Sequence, residues 1–229
     1  MIYLTGDTHG LFTRIESFCE KMNTTHEDLL IILGDAGINF SGGWRDENKK
    51  RILSELPITL LCIHGNHEKR PATIPAYKEQ LWHGGVVYAE EEYPNILFAK
   101  DGEVYDLNGK KAIAIGGAYS IDKWLRTPGV SWWEDEQPSP EIKARVEEKL
   151  QQLDWKVDIV LTHTTPLKYE PVETFLPGID QSSVDQSTEE WLDTIEDRLA
   201  YDRWFCGHFH TCKKVDKIQL MFEDYETLE

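Results

Sequence analysis

Positive charge is scarce in this chain. Its 229 residues carry 24 Lys and Arg against 41 Asp and Glu, a formal net charge of −17. A protein that gains its affinity by neutralising a nucleic-acid backbone needs a Lys/Arg surface, so a broad nucleic-acid-binding face is not expected. Cysteine is scarce too. Cys19, Cys62, Cys206 and Cys212 form no CxxC pair, and the expectation is reduced thiols in a cytoplasmic protein. No apolar run approaches the roughly 18 residues of a membrane span. No basic segment followed by an apolar stretch and a cleavage site marks a secretory signal. The patterns G-x-x-x-x-G-K-[ST], G-x-G-x-x-G and H-E-x-x-H are all missing, which weakens P-loop, dinucleotide-binding and zincin readings.

What is present is an ordinary globular balance, with 40% hydrophobic and 28% charged residues. The length suits one substantial core, and a single domain over 1–229 is expected. Apolar runs at 2–5, 29–33, 58–63, 112–115, 159–162 and 204–206 predict strands, with another at 217–222. Most are apolar on both faces, as in strands covered on each side. Leu11, Ile15, Phe18, Cys19 and Met22 fall at helical spacing. A second helix is expected over 44–56. A third starts at Ser139-Pro140, and Ser187-Thr-Glu-Glu190 has the capping-box pattern of a fourth. Strand–helix alternation predicts a layered α/β fold, with short antiparallel strands within 86–106.

Five short blocks follow predicted strands: Gly-Asp7-Thr-His9, Gly-Asp35, Gly-Asn66-His67-Glu68, Thr-His163 and Gly-His208-Phe-His210. Open α/β sheets bind ligands outside the carboxyl ends of their strands. Asp7 and His9 are two residues apart in extended chain, so their side chains can point the same way, and His208 and His210 repeat that spacing. The glycines at 6, 34, 65 and 207 suit tight turns or close approach to a ligand. Taken singly, a Gly-Asp is a turn and an Asp-x-His is surface chemistry. Five such blocks at strand ends offer more metal ligands than one ion needs.

This ordered pattern resembles that of the calcineurin-like metallophosphoesterases, and the resemblance spans residues 6 to 210. It implies a four-layer α/β/β/α sandwich and a binuclear centre. Carried over by position, it implies that Asp7, His9 and His210 bind the first metal and that Asp35 bridges. Asn66, His163 and His208 would bind the second, and His67 would be the catalytic histidine near the leaving group. It further implies hydrolysis of phosphodiesters or phosphomonoesters by attack of a metal-bound hydroxide. The expected cofactor is two divalent transition ions (Mn, Fe, Zn, Co or Ni, with Mn favoured), because imidazole and carboxylate together suit these better than Ca. The expected partner is a phosphate-ester substrate, a small molecule or nucleotide. The alternative is a non-catalytic metal-binding scaffold on the same fold.

The protein-phosphatase branch of that family follows its second Gly-Asp with Val-Asp-Arg-Gly, whereas here Gly34-Asp35 leads into Ala36-Gly37-Ile38-Asn39. Arg70 and Arg126 are the cations that could stand in for the missing arginine. Gly116-Gly117-Ala118-Tyr119-Ser120 could present backbone N–H groups to a phosphate, or be an ordinary turn. The loop 119–138, with Trp124, Trp132, Trp133, Lys123 and Arg126, is expected to form one wall of the substrate cleft, unless its tryptophans only pin it to the body. His64 is expected to be structural, and His26 and His83 to lie on the surface. The alternating Cys206, His208, His210 and Cys212 do not make a zinc clip, because one extended strand cannot wrap four ligands around a tetrahedral ion.

Overall fold

Alternation along each central strand sends successive side chains to opposite faces, and two sheets use that alternation to share one interior. The structure is a computed structural model that describes residues 1–228 apart from Leu176 and Ile179. The first sheet takes β1 (Ile2–Thr5), β2 (Leu29–Ile32), β3 (Thr59–Cys62), β4 (Lys78–Trp82), β5 (Gly85–Glu90) and β6 (Tyr93–Ala99). The second takes β7 (Val104–Leu107), β8 (Lys110–Ile115), β9 (Ile159–Thr162), β10 (Arg203–Cys206), β11 (Lys213–Val215) and β12 (Ile218–Leu220). The last strand, β13 (Tyr225–Leu228), returns to the first sheet. Among the described residues the orders are β13-β1-β2-β3-β6-β5-β4 and β11-β12-β10-β9-β8-β7.

Both sheets are parallel at their centres. In the first, Leu4, Ile31, Leu61 and Leu97 stand in register across four strands. In the second, Ala114, Leu161 and Phe205 do the same. All seven residues belong to one buried cluster between the sheets. The opposite faces meet helices. Ile15, Phe18 and Cys19 of α1 (Thr13–Met22) and Leu53 of α2 (Gly43–Ser54) pack over Tyr3, Leu30, Ile32 and Leu60. Val146 and Leu150 of α3 (Pro140–Gln152) and Trp191, Leu192 and Ile195 of α4 (Ser187–Glu196) cover Ile113, Val160 and Trp204. The result is a four-layer α/β/β/α sandwich, as expected.

The differences from expectation have local causes. Strand β4 is absent from the sequence reading, because Lys78, Glu79, Gln80 and Leu81 are all exposed and show no apolar face. Leu11 and Met22 fall off the buried stripe of α1 and are 69% and 43% exposed. Helix α3 starts as read, with Ser139 Oγ accepting from the Ile142 N–H. Helix α4 starts earlier than read, at Ser187, whose N–H donates to Asp185 Oδ1 at 3.0 Å, so the capping box is not used. Cys19, Cys62 and Cys206 are buried free thiols and Cys212 is an exposed one. Cys206 belongs to the outer core under α3 and α4. Among the described residues no helix is long and apolar enough to cross a membrane.

Phe205 is fully buried at the centre of the shared interior. Phe205→Ala is therefore expected to cost about 3–5 kcal/mol of stability, read as a lower midpoint in urea unfolding. A loss within about 0.5 kcal/mol, the range of a surface substitution, would contradict this account of the core.

Candidate metal centre

The parallel strands β1, β2, β3, β9 and β10 all end at one edge, and the five ligand-bearing turns leave from there. The backbone of these turns is strained. His9, Asp35, His208 and His210 have φ of 47°, 49°, 66° and 49°. That left-handed region costs a non-glycine residue of order 1–3 kcal/mol, least for Asn, Asp and His, and it persists only where surrounding structure imposes it.

Two carboxylates are fixed from behind by the same device. The His67 N–H donates to Asp35 Oδ1 at 2.8 Å, and the His208 N–H donates to Asp7 Oδ1 at 2.8 Å. Each contact needs the glycine two residues or one residue earlier. A Cβ on Gly65 would overlap Asp35 Oδ1, and one on Gly207 would overlap Asp7 Oδ1. Both carboxylates are 2% exposed, and Asp7 Oδ2 has no hydrogen-bond partner.

Around these oxygens, ring nitrogens and oxygens able to ligate a metal crowd together at hydrogen-bonding distance or a little beyond. His9 Nε2 lies 2.8 Å from His210 Nε2, and Asp7 Oδ2 lies 3.2 Å from His210 Nε2 and 3.6 Å from His9 Nε2. The second group is more telling. His163 Nδ1 lies 2.8 Å from the Leu33 carbonyl, so it must donate there, and the lone pair of the neutral ring is on Nε2. That Nε2 faces Asn66 Oδ1 at 2.8 Å, and His208 Nδ1 is 3.1 Å from the same oxygen. Asn66 Nδ2 donates to Ser120 Oγ at 2.9 Å, which turns its oxygen inward. Lone pairs at these separations repel unless a cation lies among them. Ligands about 2.1 Å from an ion and at right angles to one another would sit about 3.0 Å apart.

Asp35 stands between the groups. Its Oδ2 is 3.9 Å from His9 Nδ1 and 3.8 Å from His67 Nε2, and its Oδ1 is 3.8 Å from His163 Nε2. Three sets could each hold an ion: Asp7, His9 and His210; His9, Asp35 and His67; and Asp7, Asp35 and His163. The structure thus brings together all seven implied ligands, and it places His67 at the same edge. Burial works against ionising Asp7, but His210, with Nε2 3.2 Å from Oδ2, and the His163 and His9 imidazoles overcome it and hold its carboxyl below the usual range. Burial, then His163, pushes His208 well below the ordinary imidazole range, which keeps it a neutral ligand. Burial also lowers His67, with Arg126 acting in the same sense and Asp35 opposing. Glu68 carries the reverse shift, raised well above the usual carboxylate range by burial, then by Asp35 and Asp7, and its Oε1 accepts from the Gly65 N–H at 2.9 Å.

The residues around the centre divide into two groups. Arg126 reaches it, with Nη2 2.8 Å from the ring nitrogens of His67 and 2.7 Å from Asp122 Oδ2. Arg70 does not: it pairs with Asp101 and donates to the Asp135 carbonyl, clamping the loop to the body. The backbone N–H groups of Gly116 and Gly117 are spent on Asp101 Oδ1 and the His64 carbonyl, so this turn is packing and no phosphate cradle. His64 is 2% exposed and outside the three ligand sets, while His26 and His83 are on the surface.

A cleft of about 420 Å³ opens from the centre. Tyr119, Ile121 and Asp122 line it, but none of the three loop tryptophans does. Trp132 Nε1 donates to Glu136 at 2.7 Å, Trp133 lies under Lys69, and Trp124 is 72% exposed. The opposite wall is Glu170, Thr174, Phe175, Val184 and Glu189, which the sequence reading missed. These residues lie on short 3₁₀ turns and a helix start without hydrophobic period.

Fold and site together define an α/β/β/α sandwich with Asp/His groups able to hold metal. The model of the calcineurin-like phosphoesterase family matches residues 1–212, and the chain belongs to that family. The solved structure of TT1561 of Thermus thermophilus is similar, with a TM-score of 0.55 at 14% identity over 97% of this chain and 89% of that one. A second solved structure gives 0.53 at 13% identity over 96% and 88%. At such identity both show a shared fold. Among curated proteins no sequence matches the chain.

Gly207 and Gly65 give the most specific test of this geometry. Gly207→Ala is expected to displace Asp7 and lower the metal bound per chain, measured by elemental analysis after loading with Mn²⁺. Ala replacing Gly84, where a Cβ meets open space, controls for a glycine-to-alanine change away from the centre. Equal metal content in both variants and the parent would contradict the placement of Asp7.

Proposed function

We propose that the chain hydrolyses phosphate esters at a dinuclear metal centre. Asp7, His9 and His210 would hold one ion, Asn66, His163 and His208 the other, with Asp35 shared. The observation that supports this best is the pair of ligand-atom clusters on either side of Asp35, a carboxylate 2% exposed. The donors are imidazole, carboxylate and amide oxygen with no thiolate, which suits Mn, Fe, Zn, Co or Ni, and we favour Mn. When bound, such ions polarise a phosphoryl oxygen and make a water acidic near neutral pH.

The chain's own groups do the rest. His67 lies at the rim of the centre, 3.8 Å from Asp35 Oδ2, and lines the cleft. Its role is to give a proton to the departing oxygen. Arg126, held by Asp122, sets a guanidinium beside His67, where it would pair with the phosphoryl oxygens. This supplies from the loop after β8 the cation that residues 36–39 lack. The cleft volume suits a small-molecule ester or nucleotide better than a folded protein. The buried free thiols fit a reducing compartment, and we place the protein in the cytoplasm.

The assay is turnover of a chromogenic monoester and the matching diester, before and after chelation and with Mn²⁺ restored. Activity that survives full chelation would contradict the proposal. His67→Ala is expected to lower kcat by about 10²–10⁴-fold for alkyl esters, and less for nitrophenyl esters, whose leaving group needs little protonation. An equal loss across leaving groups would refute the proton-donor role.

Arg126→Ala is expected to lower kcat/KM by about 10²-fold with bound metal unchanged. A wild-type value would remove Arg126 from the phosphoryl site.

A further inference from the structure

The cleft runs past the metal centre into a part that phosphoryl chemistry does not use. Its wall there comes from the chain between β9 and α4, faced by Phe209 from the turn after β10. Phe175 and Phe209 stand nearly parallel, their planes inclined by 14° and their centroids 6.2 Å apart.

Glu189 sits at the start of α4 and is 4% exposed. Its Oε1 accepts from Thr164 Oγ1 at 2.7 Å, and its Oε2 is buried with no hydrogen-bond partner. Glu170 lines the same cleft and accepts from Gln186 Nε2 at 2.9 Å through Oε2. Of the other two carboxylates that line the cleft, Asp35 belongs to the metal centre and Asp122 is paired with Arg126. Among the described residues no Lys or Arg lines the cleft. A buried carboxyl oxygen without a donor is costly, and so calls for a partner from outside the chain.

We propose that this region is a subsite for the alcohol part of the ester, and that it takes an alcohol bearing a protonated amine. An ammonium has three donors and no acceptor, which suits a cleft wall that carries the unpartnered Glu189 Oε2 and the Glu170 carboxyl. Aromatic faces beside it add attraction to a cation. A plain alkyl group would leave Oε2 unpaired, and a second anionic group would meet two carboxyls. Which ester is hydrolysed rests on the phosphoesterase reading, but the amine preference does not require turnover.

The test uses the full chain loaded with Mn²⁺ and three phosphonates that cannot be hydrolysed: 3-aminopropyl-, butyl- and 3-carboxypropylphosphonate. They share the metal-binding end and differ in the terminal group. Calorimetry is expected to show the amine binding about tenfold more tightly than butyl, and the carboxylate more weakly than butyl. Glu189→Gln and Glu170→Gln are each expected to shrink the amine-to-butyl ratio several-fold. If Glu189 only positions Thr164, the Gln variant changes thermal stability and leaves that ratio alone. If the Glu189 variant does not fold, the Glu170 variant decides. Equal affinities, a preference for the carboxylate, or no binding by any of the three overturns the subsite. Turnover of a chromogenic ester in the same preparation reads the other claim separately. Turnover with a flat phosphonate ranking sinks the subsite alone, and amine preference without turnover sinks the hydrolase reading alone.

Discussion

Two buried carboxylates and a ring of imidazole lone pairs are pressed into one small space, and much of the fold is arranged to hold them there. Asp7 and Asp35 are each 2% exposed. Left alone, such a group would separate or take up protons, because burying charge without partners is expensive. It is held by backbone. An amide N–H from a neighbouring turn fixes one oxygen of each carboxylate and leaves the other facing the centre. Gly65 and Gly207 allow those amides to come close, and four site residues accept left-handed backbone. Strain of that kind is stable only on a rigid base. The interior shared by the sheets supplies it, with in-register rows from Leu4 to Leu97 and from Ala114 to Phe205.

The same constraint explains the division of labour among the loops. The turns after β1, β2, β3, β9 and β10 are committed to the centre and have little freedom. Selectivity is left to longer connections. The loop 119–138 is anchored by Arg70 and by Trp133 against Lys69, is braced internally by Trp132 on Glu136, and sends Arg126 back to His67. Glu170, Thr174, Phe175, Val184 and Glu189 line the other side of the cleft.

The ligand-bearing edge was legible in the sequence because each donor follows directly on a strand buried on both faces. Strand position and chain order then suffice to place Asp7, Asp35, Asn66, His163 and His208 together. Resemblance to a family supplied the four layers and the roles, which spacing alone leaves open. What stayed hidden lacks period or depends on long-range contact. Strand β4 has no apolar face. Arg126 comes near the centre only through the path of its loop, and nothing local distinguishes it from Arg70. The wall at 170–189 is built of short 3₁₀ turns, and Glu189 looks like a helix-start acid until its burial is seen. Both roles expected of the loop 119–138 are found, since it lines the cleft through Tyr119, Ile121 and Asp122 while Trp133 packs under Lys69.

The central claim is that two ions share Asp35, and electron paramagnetic resonance of the Mn²⁺-loaded protein tests it most directly. Two ions bridged by one carboxylate lie close enough for exchange coupling. The account predicts the closely spaced multiline spectrum of a coupled Mn²⁺ pair, giving way to isolated-ion lines when Asp35 is replaced by Asn. A simple six-line spectrum at full loading of the unaltered chain would mean separate, uncoupled ions, and would contradict the shared site.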